Sequence, residues 1–191
     1  MIIVITPDVI YDQEVYWVNQ LFKSGIDLLH IRKYGLQDSQ LINYVNSIDA
    51  VYREKLVLHS HNHLSSLLNI HRLHIHEADR IKGIDRQFIN NKTLSTSVHT
   101  INDFNNLESF WNYALLSPMF PSISKPNYGV STTILSQLGD RTNIEVKLIG
   151  LGGIKMENVN ELMKENLDGV ALLGAIWNNS DPSHYFNLFK N

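Results

Sequence analysis

Eight short apolar runs, separated by polar or helix-patterned stretches, constrain this chain more than any other feature. They are IIVIT (2–6), DLLHIR (27–32), KLVLHS (55–60), RLHIH (72–76), TLSTSV (93–98), NYALLS (112–117), VKLIGLG (146–152) and DGVALLG (168–174). Most are rich in Val, Ile and Leu, and several are nearly continuous. Parallel strands buried on both faces read this way. The stretch 12–25 sets Val15, Val18, Leu21 and Phe22 on one helical stripe and stops at Ser24-Gly25. The stretch 38–52 repeats the pattern with Leu41, Ile42, Val45, Ile48 and Val51, and Asp38 or Ser39 is its expected N-cap. Residues 156–166 form a third such segment, and 62–71 leaves room for two turns, Leu64 to Asn69. Alternating strand and helix predicts a parallel sheet, and eight strands predict an α/β fold of one domain over 1–191, a compact (β/α)8 TIM barrel. The competing architecture is an open doubly wound sheet of five or six strands.

A chain of 191 residues buries about 70% of its surface on folding. Its 18% charged residues and net charge of −3 argue against a nucleic-acid partner. Without cysteine, disulfides, thiolate zinc and a cysteine nucleophile are excluded. The N-terminal MIIVITPDVIYD has no basic leader, and no apolar run approaches the ~20 residues of a membrane span. A soluble, cytoplasmic protein without a membrane partner is expected. A homodimer is compatible with everything in the sequence.

Barrel enzymes build their sites at the C-terminal ends of the strands and in the loops that follow. The longest polar loop, SPMFPSISKPNYG (117–129), carries Ser122, Ser124 and Lys125, stiffened by prolines, and suits an oxyanion such as phosphate. Gly152-Gly153 ends the seventh run and Gly174 the eighth. Loops after strands seven and eight are where barrels commonly take phosphate, through backbone N–H groups. Arg32 and Lys33 follow the second run as cations for a second anionic group.

Histidines crowd the same ends: His30, the cluster His59/His61/His63, the pair His74/His76, and His99. Residues two apart in a strand share a face, so His59 with His61, and His74 with His76, are expected to point together, unless His61 and His63 have already left the strand. One reading is a zinc cage with Glu77 or Asp79 as the carboxylate, as in a metal-dependent hydrolase. The other is an anion-binding or proton-transfer site.

The order of these motifs resembles the thiamine phosphate synthase family and its tautomerase relatives, over nearly the whole chain. SPMFPSISK is similar to the family loop G-P-I-F-x-T/S-x-[ST]-K, STSVHTINDF to G-V-S-x-H-[ST], KLIGLGGI to P-V-x-A-I-G-G-I, DGVALLGAI to G-V-A-V-x-S-A-I, and LLHIRK to V-Q-L-R-E-K. The resemblance implies a (β/α)8 barrel and a transferase that joins a hydroxymethylpyrimidine diphosphate to a thiazole phosphate, releasing pyrophosphate in the presence of magnesium. It implies that Ser122, Ser124, Lys125 and Gly153 hold phosphate and that Arg32 and Ser97 contact diphosphate. Arg32, His59, Ser97 and Lys125 are then the candidate catalytic residues. His30, Lys33, His76, His99, Gly152 and Gly174 join the phosphate residues as substrate contacts. Departures concentrate on the diphosphate side. The N-D segment falls on His59-Ser60, Tyr34 stands where the R-E-K lysine would be, and Asp79 alone survives as a magnesium ligand. A tautomerase, or a phosphate-binding member without activity, is the alternative; the tautomerase histidine position holds Pro118.

Overall fold

Each apolar run becomes a strand: β1 (Ile2–Ile5), β2 (Leu28–Ile31), β3 (Leu56–Leu58), β4 (Arg72–Ile75), β5 (Thr93–Val98), β6 (Tyr113–Leu116), β7 (Lys147–Leu151) and β8 (Gly169–Leu172). The computed structural model describes residues 1–84, 90–121 and 134–189. In it every strand runs parallel to the next, and β8 returns to β1. Val4, for instance, is in register with Leu29 on one side and Leu172 on the other. A closed barrel replaces the open-sheet alternative.

The connecting helices are α1 (Glu14–Ser24), α2 (Asp38–Ser47), α3 (Glu77–Lys82), α4 (Ile101–Asn105), α5 (Met156–Leu162), α6 (Gly174–Trp177) and α7 (Pro182–Phe189). Helix α1 buries Val18, Leu21 and Phe22. It stops at Gly25, whose φ of 98° lies in the left-handed region. There the Gly25 N–H donates to Phe22 O (3.0 Å) and the Ile26 N–H to Leu21 O (3.2 Å), the paired bonds of a Schellman stop. Helix α2 departs from expectation at both ends. Its N-cap is Gln37, not Asp38 or Ser39, and the Gln37 N–H donates to Gln40 Oε1 (2.9 Å). It ends at Ser47, and Val51 is 80% exposed instead of continuing the apolar stripe. The two turns expected at 64–69 form as a 3₁₀ turn, Asn62–Leu64, followed by hydrogen-bonded turns through Asn69 (Leu68 N–H to Leu64 O, 2.9 Å), and they bury Leu64 and Leu68. No helix among the described residues is long and apolar enough to cross a membrane.

Side chains alternate across each strand, so the barrel has two cores. Outward residues such as Val4, Leu29, Leu56, Leu58 and Leu73 pack under the helices with Val18, Leu21, Leu41 and Val45. Inward residues Ile3, Ile5, Leu28, Val57, Tyr113, Leu115, Ile149 and Ala171 fill the lumen. Each such aliphatic side chain contributes roughly 1.5–3 kcal/mol by leaving water.

One buried ion pair ties the mouth of the barrel together. Lys33, just past β2, and Glu14, opening α1, are both wholly buried with Nζ and Oε2 2.8 Å apart. The same ammonium donates to Pro7 O (2.6 Å) and Val9 O (3.2 Å) in the loop after β1. Glu14 also accepts from Tyr44 OH of α2 (2.5 Å) and from the Tyr11 N–H (2.8 Å). Burial pushes the Lys33 ammonium down from its usual range, and the Glu14 carboxylate holds it up. Replacing Glu14 by Ala would leave a buried, unpaired ammonium. A destabilisation of about 3–5 kcal/mol is expected, read as a lower urea midpoint at unchanged slope. A change below about 1 kcal/mol would show that Lys33 escapes to solvent or sheds its proton at little cost.

Candidate active site

At the C-terminal mouth of the barrel lies a cavity of about 170 Å³ lined by Ile5, Arg32, Tyr34, His59, His74, His76, Ser97, Leu115, Leu151 and Leu173. Its two sides differ. The strands from β6 round to β1 present Leu115, Leu151, Leu173 and Ile5, whereas β2 to β5 and their loops present Arg32, His59, His74 and Ser97. A flat ring with apolar faces and polar edge atoms fits such a split wall.

The polar side continues below the cavity floor. His30 of β2, His59 after β3 and His74 of β4 are all buried. His30 Nδ1 meets His59 Nε2 at 2.6 Å, and His30 Nε2 meets the Tyr113 hydroxyl at 2.6 Å. His74 places its two ring nitrogens 3.0 Å from the hydroxyls of Ser95 and Ser97. The rings of His59 and His74 stack at 4.1 Å. Tyr34 OH lies 3.5 Å from His59 Nδ1 and 2.5 Å from His76 Nε2, so the chain of polar groups ends at an exposed histidine. Desolvation holds all three buried imidazoles below their usual range, His74 at about 3. They are therefore neutral at pH 7. Burial likewise raises the Tyr34 hydroxyl to about 12.

The residues singled out from sequence separate into groups. Arg32, His59, His76 and Ser97 meet at the cavity, with His30 beneath it. Arg32 stands over the Tyr34 ring at 5.3 Å. Lys33 is corrected: its ammonium is sealed against Glu14 and two carbonyls, so it makes no substrate contact. His61 and His63 are also corrected as strand-mates of His59. His61 takes a left-handed φ of 55°, leaves the strand, and bonds Leu36 O (2.8 Å) and the Ser60 hydroxyl (2.8 Å). His63 turns to Asp38 (2.9 Å) at the surface. His74 and His76 both line the cavity, their ring centroids 6.2 Å apart, His74 buried in β4 and His76 exposed as the N-cap of α3. His99 bonds Ser117 O (2.9 Å) and lies 3.8 Å from Glu77. The Asp79 side chain is 64% exposed and sits 4.0 Å from Lys82. Ser122, Ser124 and Lys125 fall outside the described residues.

The segment leading into that loop is described. Met119 N–H donates to Leu151 O (2.9 Å) and Phe120 N–H to Gly152 O (3.1 Å). Gly152 and Gly153 have φ of 98° and 64°, and a Cβ on Gly153 would collide with Pro121 O and stand 2.7 Å from the Phe120 side chain. Both glycines thus have a packing role, and it brings the start of the Ser/Lys loop against the end of β7. Gly174 opens α6, next to Leu173 of the cavity wall. Tyr34 and Tyr113 were not among the expected site residues. The signal for Tyr113 was its phase with Leu115, two residues along the same strand, which turns both inward.

Among the described residues, one group of three potential ligands has its donor atoms within 4.8 Å of one another: His30, His59 and His74.

The family model for thiamine monophosphate synthase matches residues 1–176. The thiamine-phosphate synthase of Clostridium tetani is 24% identical over 162 residues, covering 82% of this chain and 77% of its own. The crystal structure of thiamine phosphate pyrophosphorylase from Bacteroides thetaiotaomicron superposes with a TM-score of 0.79 at 22% identity, over 99% of this chain and 95% of its own. The thiamine phosphate pyrophosphorylase from Pyrococcus furiosus gives 0.81 at 14% identity, over 99% and 93%. These superpositions establish a shared barrel fold.

The buried histidines make stability pH-dependent, and the sign follows from their lowered pKa values. In the unfolded chain each titrates near 6.5, whereas folded His74 titrates near 3. Their contribution is complete above the unfolded value and is lost as pH falls below it, because only the unfolded chain then takes up the protons. At pH 5 the loss is about 2 kcal/mol per histidine that stays neutral when folded. The Arg32 charge, and that of His76 whenever it is protonated, push His59 in the same direction. Urea midpoints at pH 7.5 and pH 5 measure the difference, and His59→Asn should shrink it by about one histidine's share. An equal drop in the variant would mean that His59 is protonated when folded.

Proposed function

This chain belongs to the thiamine monophosphate synthase family, and from that premise we propose that it is a transferase of thiamine biosynthesis. It couples a hydroxymethylpyrimidine diphosphate to a thiazole phosphate: the bond from the pyrimidine methylene to the diphosphate oxygen breaks, a bond to the thiazole forms, and pyrophosphate leaves. The observation that carries this reading is the split cavity at the barrel mouth. Leu115, Leu151, Leu173 and Ile5 receive the face of a heteroaromatic ring, while the imidazole and serine edges oppose its polar atoms. Arg32, on the rim, meets the departing negative charge, and its fixed charge needs no proton uptake to do so. Ser97 adds a hydroxyl to the same group. The thiazole phosphate goes to the other end, where Ser122, Ser124 and Lys125 follow the segment held against Gly152-Gly153. The substrates are small and phosphorylated, and we place the enzyme in the cytoplasm.

Magnesium assists the family's reaction, but the described donors do not fit it well. A hard cation wants several oxygens. Here Ser60 replaces the usual aspartate, the Asp79 carboxylate is largely in solvent, and Glu77 faces Arg80 (3.3 Å) and His99 (3.8 Å).

Pyrophosphate release from the two substrates tests the proposal. Arg32→Ala is expected to lower kcat/KM by about 100-fold or more, as loss of a charge-stabilising donor does elsewhere. Lys125→Ala should chiefly weaken thiazole phosphate binding. Asp79→Ala should cost less than about tenfold, because a solvated carboxylate holds a divalent ion poorly. Absence of pyrophosphate release from the folded wild type, with thiazole phosphate still binding, would end the synthase reading in favour of a phosphate-binding member.

A further inference from the structure

We propose that His30, His59 and His74 bind one divalent transition-metal ion of the zinc class at the floor of the cavity, with one coordination position open toward the cavity. The site goes beyond the synthase reading and does not depend on it.

Three successive strands each deliver one imidazole to the same point, and the donor atoms lie within 4.8 Å of one another. His30 Nδ1 and His59 Nε2 face each other at 2.6 Å. A pair of neutral imidazoles so placed has one proton between two nitrogens; on metal binding that proton moves to the outer nitrogen of its own ring, and the two rings draw apart to leave the ion about 2.0–2.1 Å from each inner nitrogen. The outer nitrogens are already held as ligand histidines usually are. His30 Nε2 is on the Tyr113 hydroxyl at 2.6 Å, and His59 Nδ1 faces Tyr34 OH at 3.5 Å. His74 has a serine on each nitrogen, Ser95 and Ser97 at 3.0 Å. One of these serine bonds must break for its nitrogen to reach the metal, and the other serine is at hand for the remaining ring nitrogen.

Zinc binds imidazole nitrogen at about 2.0–2.1 Å, and three histidines with one open position is a known catalytic arrangement. Coordination requires the His74 ring to turn out of its stack on His59, a rotation about side-chain bonds with the strands left in place. His59 and His74 line the cavity, so the open position faces whatever occupies it. No carboxylate is among the ligands. The ion therefore keeps its full +2 charge, with Arg32 close by, and its fourth ligand is hydroxide or an anionic oxygen such as a phosphate group provides. Nitrogen donors also select against magnesium, which prefers oxygen.

Full-length protein stripped with a chelator and titrated with Zn2+ or Co2+ alone, without substrate, decides the matter. One equivalent is expected to bind. The cobalt form should show the intense visible absorption of a four- or five-coordinate nitrogen site, and a large excess of Mg2+ should not displace the ion. His59→Ala and His74→Ala should each weaken binding by more than about 100-fold, beyond the roughly 10–100-fold that removal of an outer partner costs. His63→Ala and His71→Ala should leave it intact. If an alanine variant fails to fold, His59→Asn and His30→Gln keep a polar side chain in place and must show the same loss. Three results would overturn the proposal: no binding by the folded wild type, an octahedral cobalt spectrum, or full affinity retained in the cluster variants with loss in His63→Ala. The last would put the ion on the exposed histidines near Asp38. Pyrophosphate release plays no part in the readout, so failure of the metal site and failure of the synthase reading are told apart.

Discussion

Closing eight short parallel strands into a ring leaves each strand at most three inward positions, and β3 only one. That scarcity governs the rest of the molecule. The lower lumen goes to Ile3, Leu28, Val57, Tyr113, Ile149 and Ala171, which exclude water. One step up, β2, β3 and β4 deliver His30, His59 and His74 to a single neighbourhood. Neighbouring parallel strands in register place their inward side chains side by side, so a polar residue on one strand obliges its neighbours to supply a partner. Each of these histidines has one: Tyr113, Ser95, Ser97 or another imidazole. An unsatisfied group here would cost roughly 1–3 kcal/mol, so the polar half of the lumen stands as a set.

The strands were legible because burial on both faces forces runs of Val, Ile and Leu that no polar loop imitates, and all eight runs became strands. Helix limits were less legible. Asp38 and Ser39 have the chemistry of N-caps, yet the chain entered the helix one residue earlier, with Gln37 and Gln40 closing the first turn. Val51 kept the helical spacing but lay beyond the point where α2 turns away from the core. In the site, spacing located His59 and His74 but failed for His61, whose left-handed backbone breaks the two-residue alternation at the end of β3. Lys33 looked like an anion ligand because it adjoins Arg32, and no local pattern shows that Glu14, on another element, reaches it. Long-range pairing of this kind is invisible to periodicity.

Set against the family's usual motifs, the chain keeps the residue pattern of the Ser/Lys loop and the glycine turn, and it departs at the ends of β3 and β4. At the N-D positions His59 offers a ring nitrogen and Ser60 an uncharged hydroxyl in place of a carboxylate, and Asp79 is solvated. Softer ligands and a drier floor alter both the ion the cavity can hold and the charge it can stabilise. Arg32 becomes correspondingly more important, as the fixed positive charge lining the cavity.

The buried pair of Lys33 and Glu14 has an evolutionary consequence. Either residue changed alone strands the other's charge among the carbonyls of Pro7 and Val9 and the ring of Tyr44. Every single-step path away from the pair therefore crosses a poorly folding intermediate. The two positions should be inherited as a unit, appearing together or vanishing together across related chains. A lysine beside a binding arginine would then trace the ancestry of the loop after β1 rather than the chemistry of the substrate.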